Sequence, residues 1–329
     1  MPYNPFISVV IATCNRADYL RTCLNSIVNQ TVPRHLFEVI VVNDGSTDQT
    51  AKVLEEFVEA DAVNLNVIHQ PNAGVSAARN AGVATATAPY IGFTDDDCIL
   101  PPNWLQRIIN TWESVEGDIA GIGGPLDTVI DNGDSLAGHF IRYLDEFNYI
   151  PVITQLVVRP VHVTKLKGNE EIAYLRTSNA SFKRSCLESI NGFDVSFRRP
   201  GGEDPDLCYR LIACDYRFRI ISSLVVSHHS RESLGAYFRT LRNYVTGDVK
   251  KSRKRHMYQH PVIIRSYALL PLQKLMSFLL SIIAFPCSVY KLARDGAYTP
   301  FEALIFPFIV ILSKQYAFFV SINVIFQKH

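Results

Sequence analysis

No cysteine pair in this sequence has the spacing of a metal clip or a redox motif. The seven cysteines (Cys14, Cys23, Cys98, Cys186, Cys208, Cys214 and Cys287) are scattered, without a CxxC pair or zinc spacing. An odd count without a framework argues against a disulfide scaffold and suggests reduced thiols in a cytosolic setting. Net charge is also lacking: the formal value is +1. That removes any global electrostatic case for nucleic acid. The first strand-like run is not followed by a dinucleotide fingerprint. The one glycine-rich stretch, Gly121-Ile-Gly-Gly-Pro125, lacks it too, so a buried turn is its expected role. There is no internal repeat and no low-complexity segment. A strand begins within a few residues of the N-terminus, so no signal peptide is expected.

What is present is a regular alternation. Apolar, β-branched runs at 7–12, 37–42, 66–69 and 90–94 are separated by helical spacing at 17–29, 47–59 and 74–85. Strands alternating with helices predict βαβ units and a mainly parallel sheet flanked by helices, an α/β fold. Pro101-Pro102 is expected to open a helix running to about 114. Residues 117–176 are less regular. A strand entering a helix is expected at 177–186, a helix at 206–213, strands at 216–221 and 224–227, and a helix at 231–247. Near half the chain is hydrophobic, enough for a sizeable core over 329 residues.

Beyond Pro261 the composition shifts. Residues 266–290 and 301–326 are apolar runs long enough to cross a bilayer, each with one interior lysine, Lys274 and Lys314. A central lysine costs about 2.5–3.5 kcal/mol on insertion scales, which calls for snorkelling, an inward-facing role or an interfacial position. The basic run Lys250, Lys251, Arg253, Lys254 and Arg255 precedes the first segment, as expected beside an anionic cytoplasmic leaflet. The alternative is a pair of buried helices in a soluble domain.

The chemistry-bearing residues cluster at strand ends. Asp95, Asp96 and Asp97 follow the run 90–94, at the sheet edge where open α/β folds bind ligands. Clustered carboxylates need a cation or good solvation, so the triplet is a divalent metal site for a phosphorylated substrate or a solvated acidic turn. On extended backbone Asp95 and Asp97 share a face and Asp96 points away. Asp44 ends the second strand as a ligand acceptor or an Asx or capping residue. Thr13 and Asn15 end the first strand on the same edge. Arg79 is an exposed helical arginine, or one that meets a base or phosphate. Glu203-Asp204 is a helix cap or a general base. His228 can add a metal ligand or be structural.

Five segments carry a family resemblance: ISVVIATCNR at 7–16, VVNDGSTD at 41–48, NAGVSAARN at 72–80, FTDDD at 93–97 and GEDPDL at 202–207. Their order and spacing, with VSHH at 226–229, resemble family 2 glycosyltransferases of GT-A fold over about residues 5–250. The resemblance implies that Thr13, Asn15, Asp44 and Arg79 bind the nucleotide. It makes Asp95 and Asp97 the DxD motif and expected metal ligands, Asp97 the more direct of the two and Asp95 also a donor contact, with His228 a further metal or diphosphate contact. Asp204 becomes the catalytic base, with Glu203 orienting it or the acceptor. The first strand reads Ile-Ala-Thr where the family often has Ile-Pro-Thr, a change compatible with a strand.

These roles imply a hexosyltransferase-like, inverting enzyme that uses Mg²⁺ or Mn²⁺. The expected donor is a nucleotide sugar, a UDP-sugar in the first instance, and the acceptor a saccharide or lipid-linked hydroxyl in surface polysaccharide or glycolipid assembly. The expected organisation is a GT-A domain over 1–250, with nucleotide-sugar binding at about 5–125 and an acceptor part at about 126–250. A basic run and membrane-associated helical hairpin follow at 251–329, with the catalytic domain on the cytoplasmic side. A nucleotidyltransferase is the alternative, but it would carry a glycine-rich basic loop where this chain has Ala12-Thr-Cys-Asn-Arg16. A non-catalytic membrane scaffold would have lost Asp97 or Asp204, and both are present.

Overall fold

The computed structural model describes residues 4–130, 135–146, 164–166, 169–171, 174–229, 233–258, 270–295 and 298–326. Two units emerge: Met1–Val129 with His162–His229, and Ile130–Val161 with Ser230–His329. The boundary expected at 250 falls inside a helix, Leu234–Lys254, because helical backbone continues through the basic run.

The first unit opens with β1 (Ile7–Thr13), α1 (Ala17–Val28), β2 (Phe37–Asp44), α2 (Thr50–Ala60), β3 (Leu65–Gln70), α3 (Val75–Thr85) and β4 (Tyr90–Thr94). Side chains alternate across the strands. Ile7, Val9, Ile11, Val39 and Val41 pack on one face, with Leu20, Leu24 and Ile27 of α1. Val10, Ile40 and Val42 pack on the other, with Ala78 of α3 and with Ile91 and Phe93 of β4. Burial on both faces explains why these strands are continuous apolar runs.

Next come β5 (Cys98–Ile99), α4 (Trp104–Ser114), β6 (Ile119–Gly123) and β7 (Leu126–Val129). The expected proline start of α4 is not observed. Pro101 and Pro102 stand ahead of the helix and Asn103 occupies the N-cap. After α5 (Leu136–Glu146) of the second unit, the first unit continues with β8 (Thr164–Leu166), β9 (Asn169–Glu171), β10 (Asn179–Lys183), α6 (Arg184–Ser189), α7 (Glu203–Ile212), β11 (Arg217–Ile220) and β12 (Val226–His229). The irregular stretch at 117–176 lies partly outside the described residues.

Seven strands form the main sheet in the order β11-β6-β10-β4-β1-β2-β3. Only β10 runs against its neighbours. A second sheet, β5-β12-β7, pairs His228 with Cys98, directly after the aspartate triplet. The glycine-rich stretch is mostly strand rather than turn: Gly121 and Gly123 lie in β6. A Cβ on Gly124 would sit 1.8 Å from the Leu224 carbonyl oxygen, so close backbone approach accounts for that glycine.

The second unit contains α5, α8 (Leu234–Lys254), α9 (Leu270–Asp295) and α10 (Pro300–Phe326). Phe140, Tyr143, Leu292, Ala303, Phe306 and Ile309 form its core. Pro300–Ile325 is long and apolar enough to cross a membrane. Leu272–Pro286 and Ser288–Arg294 meet that test only as a pair, bent by 47°. Pro286 lacks the N–H that would continue the ladder there. Lys274 is paired with Asp248 at 2.9 Å, and Lys251 contacts the same carboxylate at 3.2 Å. Arg253 donates to the carbonyls of Val324 and Ile325 at 2.7 and 3.0 Å, at the end of α10. The basic run is therefore partly committed to protein contacts, contrary to a purely lipid-facing role.

Candidate active site

The strand order reverses between β1 and β4, and this switch point is where open α/β sheets bind ligands. In-register pairing of Thr13 with Asn43 and of Asp44 with Gln70 brings the C-terminal ends of β1, β2 and β3 to one edge. Polar side chains at those ends therefore converge.

The aspartate triplet is not extended. The chain turns after β4, and the Cys98 N–H donates to the Asp95 carbonyl at 3.1 Å. The three carboxylates consequently take different partners. Asp95 accepts from Arg79 at 2.9 Å and from the Ser178 hydroxyl at 2.6 Å. Asp96 accepts from the Thr13 hydroxyl and from Arg16, both at 2.7 Å. Asp97 contacts Arg16 at 2.8 Å and His228 Nε2 at 3.3 Å. The expectation that Asp96 points away fails: it is buried, because the turn directs it inward. Burial pushes Asp96 up to about 6, against the pull of Arg16. Burial acts the same way on Asp97, but the hydrogen bond and charge of His228, and then Arg16, hold it well below the ordinary carboxylate range.

Ligand atoms of Asp97, Cys98 and His228 lie within 4.8 Å of one another. Burial drives the Cys98 thiol far above its ordinary value, and its Sγ donates to the Ser178 carbonyl, so it is a poor ligand. An ionised carboxylate and an imidazole remain; the carboxylate suits Mg²⁺ or Mn²⁺, and the nitrogen donor beside it favours Mn²⁺ of the two. The residues present thus fit the metal that the resemblance implies.

Asn15 adopts a positive φ of 55°. Its side-chain oxygen accepts from the N–H groups of Thr47 and Asp48 at 2.7 and 3.3 Å, tying the loop after β1 to the loop after β2. Asp44 accepts from Gln70 at 2.7 Å and from the N–H groups of Ala73 and Gly74 at 2.8 and 2.9 Å, just ahead of α3. The Asx turn in this motif belongs to its neighbour: Asn43 Oδ1 accepts from the Ser46 N–H at 3.0 Å.

Arg79 is 4% exposed, so the exposed-helix alternative fails. Its guanidinium reaches Asp95 at 2.9 Å, Glu203 at 3.0 Å and Asp204 at 3.5 Å. It also stands 5.6 Å over the Phe193 ring. The two acidic centres, more than a hundred residues apart in sequence, share this one cation. Glu203 and Asp204 open α7 one turn earlier than the spacing indicates. Glu203 also accepts from the Gly201 N–H at 2.6 Å. Asp204 accepts from the N–H and hydroxyl of Thr177 at 3.1 and 2.8 Å. Burial, then the charge of Glu203, pushes Asp204 up to about 7, with Arg79 and Thr177 acting downward. A carboxylate near neutrality is suited to general-base work.

Sequence reasoning missed Arg16, Thr177 and Ser178. Arg16 lay within a motif and could have been singled out as the cation adjoining the strand end. Thr177 and Ser178 gave no signal, since only the chain's return through β10 brings them to the site.

The first unit thus has the α/β architecture of a GT-A fold, with acidic residues at its switch point. Residues 8–188 match the model described as "Glycosyl transferase family 2", and the chain belongs to that family. Residues 159–232 match a second model, "N-terminal domain of galactosyltransferase". Relatives include the uncharacterized glycosyltransferase EpsJ of Bacillus subtilis, 35% identical over 119 residues, covering 36% of this chain and 34% of that protein. Glycosyltransferase AglE of Haloferax volcanii is 34% identical over 137 residues, covering 41% of this chain and 44% of that protein. The chain thus spans less than half the length of these curated relatives. Among solved structures, mannosyltransferase PcManGT from Pyrobaculum calidifontis, in complex with GDP-Man and Mn²⁺, aligns with a TM-score of 0.66 at 17% identity, covering 100% of this chain and 89% of that one. S. aureus TarS 1-349 in complex with UDP aligns at 0.53 and 17% identity, covering 94% and 91%. At such identities the likeness is one of fold.

Proposed function

We propose that the protein is a membrane-associated, metal-dependent, inverting glycosyltransferase that moves a sugar from a nucleotide diphosphate to an acceptor hydroxyl. One observation carries this reading: Arg79 holds Asp95, in the strand-end cluster, and Asp204, at the start of α7, on a single guanidinium. A diphosphate site and a base are thereby fixed with respect to each other. Family membership and the nucleotide-bound fold neighbours support the donor class, with a UDP-sugar as the first candidate.

Asp97 and His228 would hold the divalent ion; Asp95, expected as a further ligand, is not among the converging ligand atoms and faces Arg79 and Ser178 instead. Bound there, such an ion would offset the charge of the leaving diphosphate. Thr13, Asn15 and Asp44 order the loops at the strand ends where the nucleotide binds. Asp204 takes the proton of the acceptor hydroxyl as that oxygen attacks the anomeric carbon. The bond from that carbon to the phosphate oxygen breaks, and its electron pair leaves on the nucleoside diphosphate. One displacement from the opposite face inverts the configuration and needs no covalent glycosyl-enzyme, unlike a retaining glycosidase.

The second unit supports membrane association. Ile283, Tyr290, Phe301, Leu304 and Phe319 of α9 and α10 are exposed, an apolar surface that a bilayer would cover. With a cytoplasmic catalytic unit, the acceptor is a saccharide or lipid-linked hydroxyl in surface polysaccharide or glycolipid assembly. The test is Asp204→Asn. It is expected to abolish transfer while UDP or GDP binding persists, because only the base is lost. Undiminished turnover in that variant refutes the assignment.

A further inference from the structure

General-base catalysis requires a specific oxygen of Asp204, because the acceptor must reach a lone pair that no protein donor occupies. A carboxylate offers about four such sites on two oxygens. Oδ1 accepts from the Thr177 hydroxyl at 2.8 Å and from Arg79 at 3.5 Å. Among the described residues, Oδ2 accepts only from the Thr177 N–H, at 3.1 Å. We propose that Thr177 is a positioning residue that clamps both oxygens of Asp204 and presents Oδ2 to the acceptor hydroxyl. The proposal rests on the glycosyl-transfer reading above.

The clamp is held firmly. Thr177 is 1% exposed. The next residue, Ser178, donates to Asp95 at 2.6 Å, so one dipeptide contacts both acidic centres. Asn179 then enters β10 opposite Thr94, the last residue of β4. Its Oδ1 accepts from Trp104 Nε1 at 2.9 Å, and its Nδ2 donates to the carbonyls of Pro125 and Leu224 at 3.0 and 2.6 Å. Thr177 is therefore anchored through its neighbour to the core and the central sheet. Positioning of this kind is what lets a base meet its proton without reorganising. In the step itself the acceptor proton passes to Oδ2, the acceptor oxygen bonds to the anomeric carbon, and the nucleoside diphosphate departs with the electron pair. Asp204 afterwards returns the proton to water.

Thr177→Val keeps the shape and the backbone N–H but removes the hydroxyl. Turnover is read as UDP or GDP release from UDP-glucose, UDP-N-acetylglucosamine or GDP-mannose with Mn²⁺, with water as acceptor. The valine variant is expected to lose about tenfold or more in kcat, the scale of one charge-assisted hydrogen bond. Its donor KM should stay within about twofold, since the nucleotide does not touch Thr177 in this reading. The acid limb of its kcat profile should move up by about one pH unit, because the hydroxyl favours the charged carboxylate. Thr177→Ser should restore both rate and limb. A valine variant with wild-type kcat and an unshifted limb overturns the proposal. Should the valine variant fail to bind UDP or GDP, Thr177→Ser decides: a wild-type limb supports the clamp and a shifted one overturns it. Asp204→Asn separates the two levels of inference. Full release in that variant rejects the base, whereas an inactive Asp204→Asn beside an unshifted Thr177→Val rejects only the clamp.

Discussion

Replacing Arg79 by methionine tests the junction on which the site depends. Methionine approximates the length of the arginine stem without its charge. The change leaves Asp95, Glu203 and Asp204 facing one another with no shared cation. At about 3 Å and an effective dielectric of about 20, each lost contact represents roughly 5 kcal/mol of attraction before desolvation. Desolvating the guanidinium offsets much of this, and breaking a buried pair typically costs about 3–5 kcal/mol. The variant can respond by protonating its carboxylates. Asp204 already stands at about 7 with Arg79 pulling it down, so its removal raises the value further. A carboxylate whose folded pKa lies above its unfolded value is no burden while protonated, and its stabilisation is lost as pH rises through the folded pKa. The deficit should therefore be smallest near pH 5 and largest near pH 8. Both tryptophans, Trp104 and Trp112, are buried in the first unit, so their fluorescence reports that unit alone. Urea titrations followed by this signal in EDTA should show a loss of about 3 kcal/mol or more at pH 8. A loss under about 1 kcal/mol, or one that does not vary with pH, refutes the reasoning.

Two further outcomes are expected. Asp97→Asn or His228→Ala should weaken Mn²⁺ binding, read by calorimetry or the Mn²⁺ spin signal without donor, by about tenfold or more; unchanged affinity in both places the ion elsewhere. The full chain should remain in the membrane pellet after a carbonate wash, and recovery as a soluble protein without detergent defeats the membrane reading.

The parallel part of the fold was legible because its signals are local. Ile7, Val9 and Ile11 alternate with Val10 so as to fill both faces of β1, and Leu20, Leu24 and Ile27 repeat at helical spacing in α1. The ends of β1, β2 and β4 marked Thr13, Asp44 and Asp95 for the same reason. Contacts made by β10 and β12 were not legible. Ser178 meets Asp95 only because β10 inserts antiparallel beside β4, 83 residues away in sequence. The triplet's geometry was misjudged because a period of two applies to strands, and β4 has already ended at Thr94. The interior lysine of α9 looked anomalous until Asp248, on a separate helix, supplied its partner.

The partners of the triplet also divide its labour more sharply than the DxD pattern does. Asp95 is committed to Arg79 and Ser178, and through Arg79 to Asp204. Asp97 is committed to Arg16 and His228. A cation at Asp97 and His228 would face Arg16 directly, so like charges would favour moving that guanidinium toward an incoming anion. A metal and a diphosphate arriving together would satisfy both changes, while either alone would leave one charge poorly matched. Asp96 explains why Arg16 need not leave the site when that happens. It is buried, anchored by Thr13 and bonded to the same guanidinium at 2.7 Å, so it can retain Arg16 after Asp97 is given over to the ion. In the proposed reaction the middle aspartate, which alternation would set aside, would be the tether that keeps a cation beside the leaving group.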